Sequence, residues 1–233
     1  MNKKYQETRI TNGSLILSII NKIILKIEDT YDDNYNLFDA KIDYKIKDID
    51  YLLKKLKDNV IDLKINTPWD FKDHIEEIND KKIIIKNDTN LKNYISIKDL
   101  YDFIPYIPFH TDLSIINSFT QKTTSSNIEY LFLYDYNGYL SILEGETLKV
   151  KIPFIKVAYN MHSHPNGHCG FSLPDINSGL DLLSEGGLAS SVVTERCALV
   201  MYRQGLVIED DYINIKSRKY ENLKSIKFIK IVY

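Results

Sequence analysis

Apolar and polar positions give the chain several textures in turn. Residues 8–29 (TRITNGSLILSIINKIILKIED) are mostly apolar and rich in β-branched side chains. That pattern fits a strand pair or a buried helix, because neither period stands out. Leu37, Ala40, Ile42 and Tyr44 alternate as in a strand. Asp48 then opens a helical pattern in which Ile49, Leu52, Leu53, Leu56 and Val60 share a face with lysines opposite. Asn66-Thr67-Pro68 ends that unit, Trp69 and Phe71 pack locally, and residues 82–86 (KIIIK) form a short strand.

The texture changes again beyond residue 86. Ser96-Ile97-Lys98-Asp99 has the form of a capping box, and the helix it opens ends at Pro105. Residues 112–120 form a second helix with Leu113, Ile116 and Phe119 on one side, followed by a polar loop over residues 121–127 (QKTTSSN). From Glu129 the pattern is β. Residues 130–134 and 139–143 flank Asn137-Gly138 as a hairpin, Asn-Gly supplying the positive φ angles of a tight turn. Residues 148–157 continue in β pattern with an edge or bend at Pro153, and residues 158–164 form a further strand. A helix follows Asp175, with Ile176, Leu180 and Leu183 at helical spacing and Gly186-Gly187 as its stop. Strands at residues 191–193 and 198–202, a turn at Arg203-Gln204-Gly205 and a last strand at 224–233 complete the chain.

These elements predict an α/β protein in parts: an N-terminal α/β module at 1–85, a linker with a short helix at 86–110, and a second domain at 111–233. The 233 residues suffice for one large domain or two small ones. Composition is ordinary for a soluble globular protein, with 44% hydrophobic and 27% charged residues. A formal net charge of -2 argues against a generally basic, nucleic-acid-binding surface. The longest apolar run, residues 14–25, is broken by Asn21 and Lys22 and falls short of the roughly 20 residues of a membrane span. It also lacks the cleavage pattern of a signal peptide, so a cytoplasmic location is expected. Two cysteines, Cys169 and Cys197, make no disulfide framework. Two reduced thiols are expected, with a single internal bridge as the alternative.

Chemistry concentrates in residues 162–175 (HSHPNGHCGFSLPD). On a strand, residues i and i+2 point to one face with about 6.6 Å between their Cα atoms. His162 and His164 can therefore reach one ion while Ser163 points away. Pro165 ends the strand, Asn166-Gly167 turns the chain, and Asp175 in the first turn of the next helix can supply a third ligand. Two imidazoles and a carboxylate form a recurrent zinc shell with a fourth place open. Without any metal, Ser172 is equally an N-cap, Pro174 a first-turn proline and Asp175 the acidic member of a capping box. His74, among Asp73, Glu76 and Glu77, reads as a surface histidine on a charged helix, and His110 has no role. His168 and Cys169 lie in the loop between ligands, as a second metal site, a redox control or simply a mobile loop.

The pattern H-x-H-x7-S-x2-D, with HSHP at its start, resembles that of the JAMM (MPN+) metalloproteases, which include deubiquitinating isopeptidases. The resemblance extends to the order of elements from about 110 to 210. It implies a cytidine-deaminase-like domain with a curved mixed sheet flanked by helices, and one Zn2+ per chain held by His162, His164 and Asp175. It also implies Glu129, at the start of the strand after the first helix, as general acid/base and Ser172 as donor to the oxyanion. Only 32 residues separate Glu129 from His162, short for the family, which leaves Glu144 and Glu146 as weaker candidates. The implied substrate is a ubiquitin-like protein or its conjugates, with no nucleic-acid or membrane partner. A non-catalytic assembly module on the same fold is the alternative. A RadC-like, DNA-related protein is a third reading, suggested by EYLFLYDYNGYL but opposed by Ser163, where that branch usually has Asn.

Overall fold

The computed structural model describes residues 6–145, 156–165 and 167–233. It is a mixed α/β protein with two mixed sheets. In chain order the elements begin with β1 (Gln6–Ile10), α1 (Asn12–Asp29), β2 (Lys41–Asp43), α2 (Ile49–Lys55), β3 (Val60–Asn66), β4 (His74–Ile78), β5 (Lys81–Asn87) and β6 (Tyr94–Ser96). They continue with α3 (Ile97–Phe103), α4 (Ile107–Thr111), α5 (Leu113–Ser126), β7 (Tyr130–Asp135), β8 (Tyr139–Glu144) and β9 (Val157–Ser163). The last are α6 (Leu173–Ser184), β10 (Ala189–Val193), β11 (Cys197–Arg203), α7 (Glu209–Lys216) and β12 (Ile226–Val232).

The long apolar run is a helix. The Thr11 side chain accepts from the Ser14 N–H and the Ser14 side chain accepts from the Thr11 N–H, a reciprocal box that starts α1. Its isoleucines are buried on every side because α1 touches β7, β8 and β9 of one sheet and β4 of the other. Ile16, Ile19, Ile20, Ile23, Ile24 and Ile27 recur at helical spacing, and that period is what separates the helix from the strand pair. Its C-terminal end is tied to β11 by a buried ion pair, Arg203 Nη1 to Glu28 Oε1 at 2.8 Å, and Tyr101 also donates to Glu28.

The larger sheet has seven strands in the order β1-β8-β7-β9-β10-β11-β12, antiparallel except for β9 and β10. The smaller has the order β4-β5-β3-β2-β6, antiparallel except for β3 and β5. The sheets therefore do not divide near residue 85. β1 pairs with β8, so the N-terminal strand and α1 belong with the larger sheet, and the smaller sheet is a unit inserted between α1 and α3. Strand pairing across more than a hundred residues leaves no trace in local patterning.

Other expectations shift for local reasons. Val60 opens β3 rather than closing a helix, and His74 begins a strand. The polar run after Thr120 is the end of α5, where the Thr123 hydroxyl returns to the Phe119 carbonyl at 3.0 Å and Asn127 closes the helix at φ +55. The β7–β8 loop has three residues, with Gly138 at φ +84 and the Asp135 carboxylate accepting from the N–H groups of Asn137 and Tyr139. Helix α7 follows the Arg203-Gln204-Gly205 turn. Pro153 and the strand expected over 148–155 lie outside the described residues. Among the described residues, no helix is long and apolar enough to cross a membrane.

Because β9 and β10 are parallel, the chain between them must cross over the sheet, and α6 is that crossover. α5 packs on β7 and β9, whereas α6 packs on β10 and β11. Phe119 of α5 meets Phe132 edge-on, while Leu131 and Leu133, of opposite parity on β7, gather Leu182 of α6. The two helices thus cover opposite faces, and the turn from β9 into α6 lies on the second.

Candidate metal centre

Strand β9 is VAYNMHS, buried along nearly its whole length between β7 and β10. His162 stands beside Leu131 of β7 and Val192 of β10. The His164 N–H donates to the Val193 carbonyl at 2.9 Å, one step beyond the strand's assigned end, before Pro165. Ser163 points to the opposite face, as alternation demands, and is fully buried. Its hydroxyl accepts from the Tyr130 N–H at 2.8 Å and meets the Thr123 hydroxyl at 2.5 Å. Ser163 thereby fixes β9 to α5 and to the residue after Glu129. This positioning role has no signature in the sequence.

The turn returns as the N-terminus of α6. Ser172 caps it, its hydroxyl accepting from the Asp175 N–H at 3.4 Å, and the Asp175 carboxylate accepts from the Ser172 N–H at 2.7 Å. This box aims the carboxylate back at β9. Asp175 Oδ1 lies 3.2 Å from His162 Nε2, Asp175 Oδ2 lies 3.7 Å from His164 Nε2, and the two Nε2 atoms are 3.1 Å apart. Tetrahedral zinc with bonds of about 2.0–2.1 Å sets its ligand atoms about 3.3 Å apart, and here one donor atom from each of the three residues lies within 4.8 Å of the other two. Among the described residues, these three form the one group of histidine, cysteine and acid side chains that could hold a metal ion.

Charge follows the same geometry. Burial works against the Asp175 carboxylate, yet His162 and Ser172 hold its pKa well below the usual range. Burial lowers the His164 pKa, and the adjacent His162 lowers it further. Neutral imidazole and ionised carboxylate are the forms that donate to a metal.

Glu129 precedes β7 across from His164, in the register that pairs Leu131 with His162. Its Oε1 is 3.9 Å from His164 Nε2, and its carbonyl accepts from the Gly145 N–H at 2.8 Å. Burial pushes its carboxyl up more than His162 pulls it down, and Asp175 adds to the rise. Glu144 pairs with Tyr130, one residue out of phase with Glu129, and so belongs to the other face of the sheet. Glu146 lies outside the described residues.

The remaining candidates stay apart from this cluster. His110 is exposed on α4, and His74 contacts Glu76 at 2.7 Å on β4. Cys169 is no ligand, because it is bonded to Cys197 at the start of β11, with a Cα–Cα distance of 6.0 Å. The two thiols expected to be reduced are joined, and the bond ties the loop between ligands to the sheet. The sequence signal was only that two cysteines were present and one lay in that loop. No family model matches the chain, and neither a curated protein nor a solved structure shows significant similarity to it.

Proposed function

We propose that this chain is a zinc-dependent hydrolase of the JAMM/MPN+ kind, cutting a peptide or isopeptide bond at the C-terminus of a ubiquitin-like protein. One observation carries the reading: two imidazoles and a carboxylate converge at 3.1–3.7 Å with a partly buried glutamate beside them. The order α5, Glu129, β7, β8, β9, α6, β10, β11 is also the order that the resemblance implies.

His162, His164 and Asp175 would hold the ion, leaving one place of a tetrahedral shell for water or substrate. A zinc ion held there would supply Lewis acidity, activating water and polarising the scissile carbonyl. Glu129 accepts the proton of the attacking water and delivers it to the departing amine nitrogen. A carboxyl with a raised pKa suits a group that must hold that proton between two steps. Ser172, exposed at the helix N-terminus, donates its hydroxyl proton to the carbonyl oxygen as negative charge grows there. A hydroxyl that accepts from a backbone N–H keeps its proton for this use. The smaller sheet, residues 41–96, carries no such constellation among its described residues and would recruit the substrate.

Metal analysis of the purified chain, followed by cleavage of a panel of ubiquitin-like fusions, tests the reading. Stoichiometric zinc and cleavage that Glu129→Gln abolishes are expected. Bound zinc without Glu129-dependent cleavage of any fusion would instead support an assembly module.

A further inference from the structure

Beside the metal centre, on the same face of the larger sheet, is a second concavity of about 550 Å³. Its walls include Phe171, Ile176, Leu199, Tyr220, Leu223 and Phe228. The pairing locates it. His162 is opposite Val192, and Val192 is opposite Leu199. Residues paired across neighbouring strands share a face. Leu199 is thus two strands from His162, about 10 Å at roughly 4.8 Å per strand. The chain makes the same connection: Phe171 precedes Ser172, and Ile176 follows Asp175. The Cys169–Cys197 bond ties together the two segments from which Phe171 and Leu199 project. Phe228 meets both Phe171 and Tyr220 edge-on, with centroids 6.2 and 5.6 Å away.

The rim has one sign of charge. Exposed Arg218 and Lys219 precede Tyr220, exposed Lys224 follows Leu223, and exposed Lys230 is paired with Leu199 and so shares its face, against the single acid Glu221, while Lys227 turns to Asp102 on the other face. An aromatic-walled pocket inside a cationic border selects a bulky apolar side chain with acidic neighbours.

We propose that this pocket is a specificity subsite, and that its occupant is a bulky apolar side chain in an acidic segment of the substrate. The inference rests on the hydrolase reading for its role, though not for its binding chemistry. At about 3.3 Å per extended residue, the occupant lies roughly three residues from the bond at the metal centre. The charge border raises the rate of encounter, and the aromatic walls hold the side chain.

The test is fluorescence polarisation with the full-length zinc-loaded chain carrying Glu129→Gln, so that binding is read without cleavage. The probes are fluorescein-labelled Asp-Glu-Phe-Glu-Asp, the same peptide with Ala for Phe, and Lys-Lys-Phe-Lys-Lys. The acidic Phe peptide is expected to bind at least about tenfold more tightly than either other peptide, the loss of one buried aromatic side chain being worth that much or more. Leu199→Glu, at the pocket wall, removes the preference. Lys230→Glu, at an exposed position paired with Leu199, weakens the acidic peptides severalfold and in a salt-dependent way. Equal affinity for the Phe and Ala peptides, or for the acidic and basic ones, overturns the proposal. So does an affinity unchanged by both variants. Selective binding by a chain that cleaves no fusion leaves the subsite standing and removes the hydrolase reading.

Discussion

Two strands of this protein carry a histidine and a second donor two residues on. At the end of β9 these are His162 and, one residue past the strand, His164, and on β4 they are His74 and Glu76. In both pairs the spacing brings the two side chains together, the imidazole nitrogens at 3.1 Å and the His74–Glu76 contact at 2.7 Å. The third partner separates them. Asp175 reaches the β9 pair from α6, with Glu129 beside it. The β4 pair meets Lys22 of α1, whose ammonium lies 2.8 Å from the other oxygen of Glu76. There a protein cation stands where a metal would have to stand. Burial works against the Glu76 charge, and hydrogen bonds from Lys22 and His74 nevertheless hold its pKa below the usual value. An i, i+2 pair on a strand is therefore half a metal centre. The sign of the next group separates a candidate metal centre from an ion-pair network.

The largest effects should come from the β9 side. His162→Ala or Asp175→Ala removes a proposed ligand and should weaken zinc binding more than about a hundredfold, beyond what loss of an outer-shell partner costs. Equilibrium dialysis against a zinc buffer measures this. Glu129→Gln should keep the zinc and lower kcat by about 10²–10⁴-fold, read with any fusion that the wild type cleaves.

Next in size is the bond that steadies the β9 side alone. Cys197→Ser opens a loop spanning 28 residues, and chain entropy puts the expected loss near 3–4 kcal/mol, measured by urea unfolding under non-reducing conditions. An unchanged unfolding midpoint would show that the ligand loop needs no tie to β11.

The smallest effects belong to β4. His74→Ala should leave the zinc content unchanged and cost less than about 1 kcal/mol, because its partners are partly exposed. Glu76→Gln should behave alike, with a definite pH dependence. The folded pKa of Glu76 is depressed, so its contribution is full above the ordinary carboxylate value of 4.5 and fades as pH falls through the lower folded value. The difference between wild type and Glu76→Gln should therefore shrink in acid. A difference that grows in acid would mean that the network does not stabilise the fold.

What could be read from the sequence divides along the same line. His162, His164, Ser172 and Asp175 were legible because strand parity, a turn and a helix cap place them within one short segment. Glu129 was legible only through the order of elements, and its position rests on the long-range register of β7 with β9. α1 carried its type in Ile16, Ile19, Ile20, Ile23, Ile24 and Ile27, at helical spacing, a signal masked by its β-branched composition and by the leucines on its other sides. β1 hid its sheet because its partner β8 is more than a hundred residues away. The end of α5 was mistaken for a loop because its threonines satisfy their hydroxyls on the helix's own carbonyls. The Lys22–Glu76–His74 network was invisible because it joins a helix to a strand of the other sheet.

The most direct test is zinc per chain, measured by plasma mass spectrometry after exhaustive dialysis, for wild type, Asp175→Ala and His74→Ala. One equivalent in wild type and in His74→Ala, with none in Asp175→Ala, is the expected result. A wild type without zinc, or zinc that survives Asp175→Ala, would contradict the assignment of the β9 turn as a metal centre.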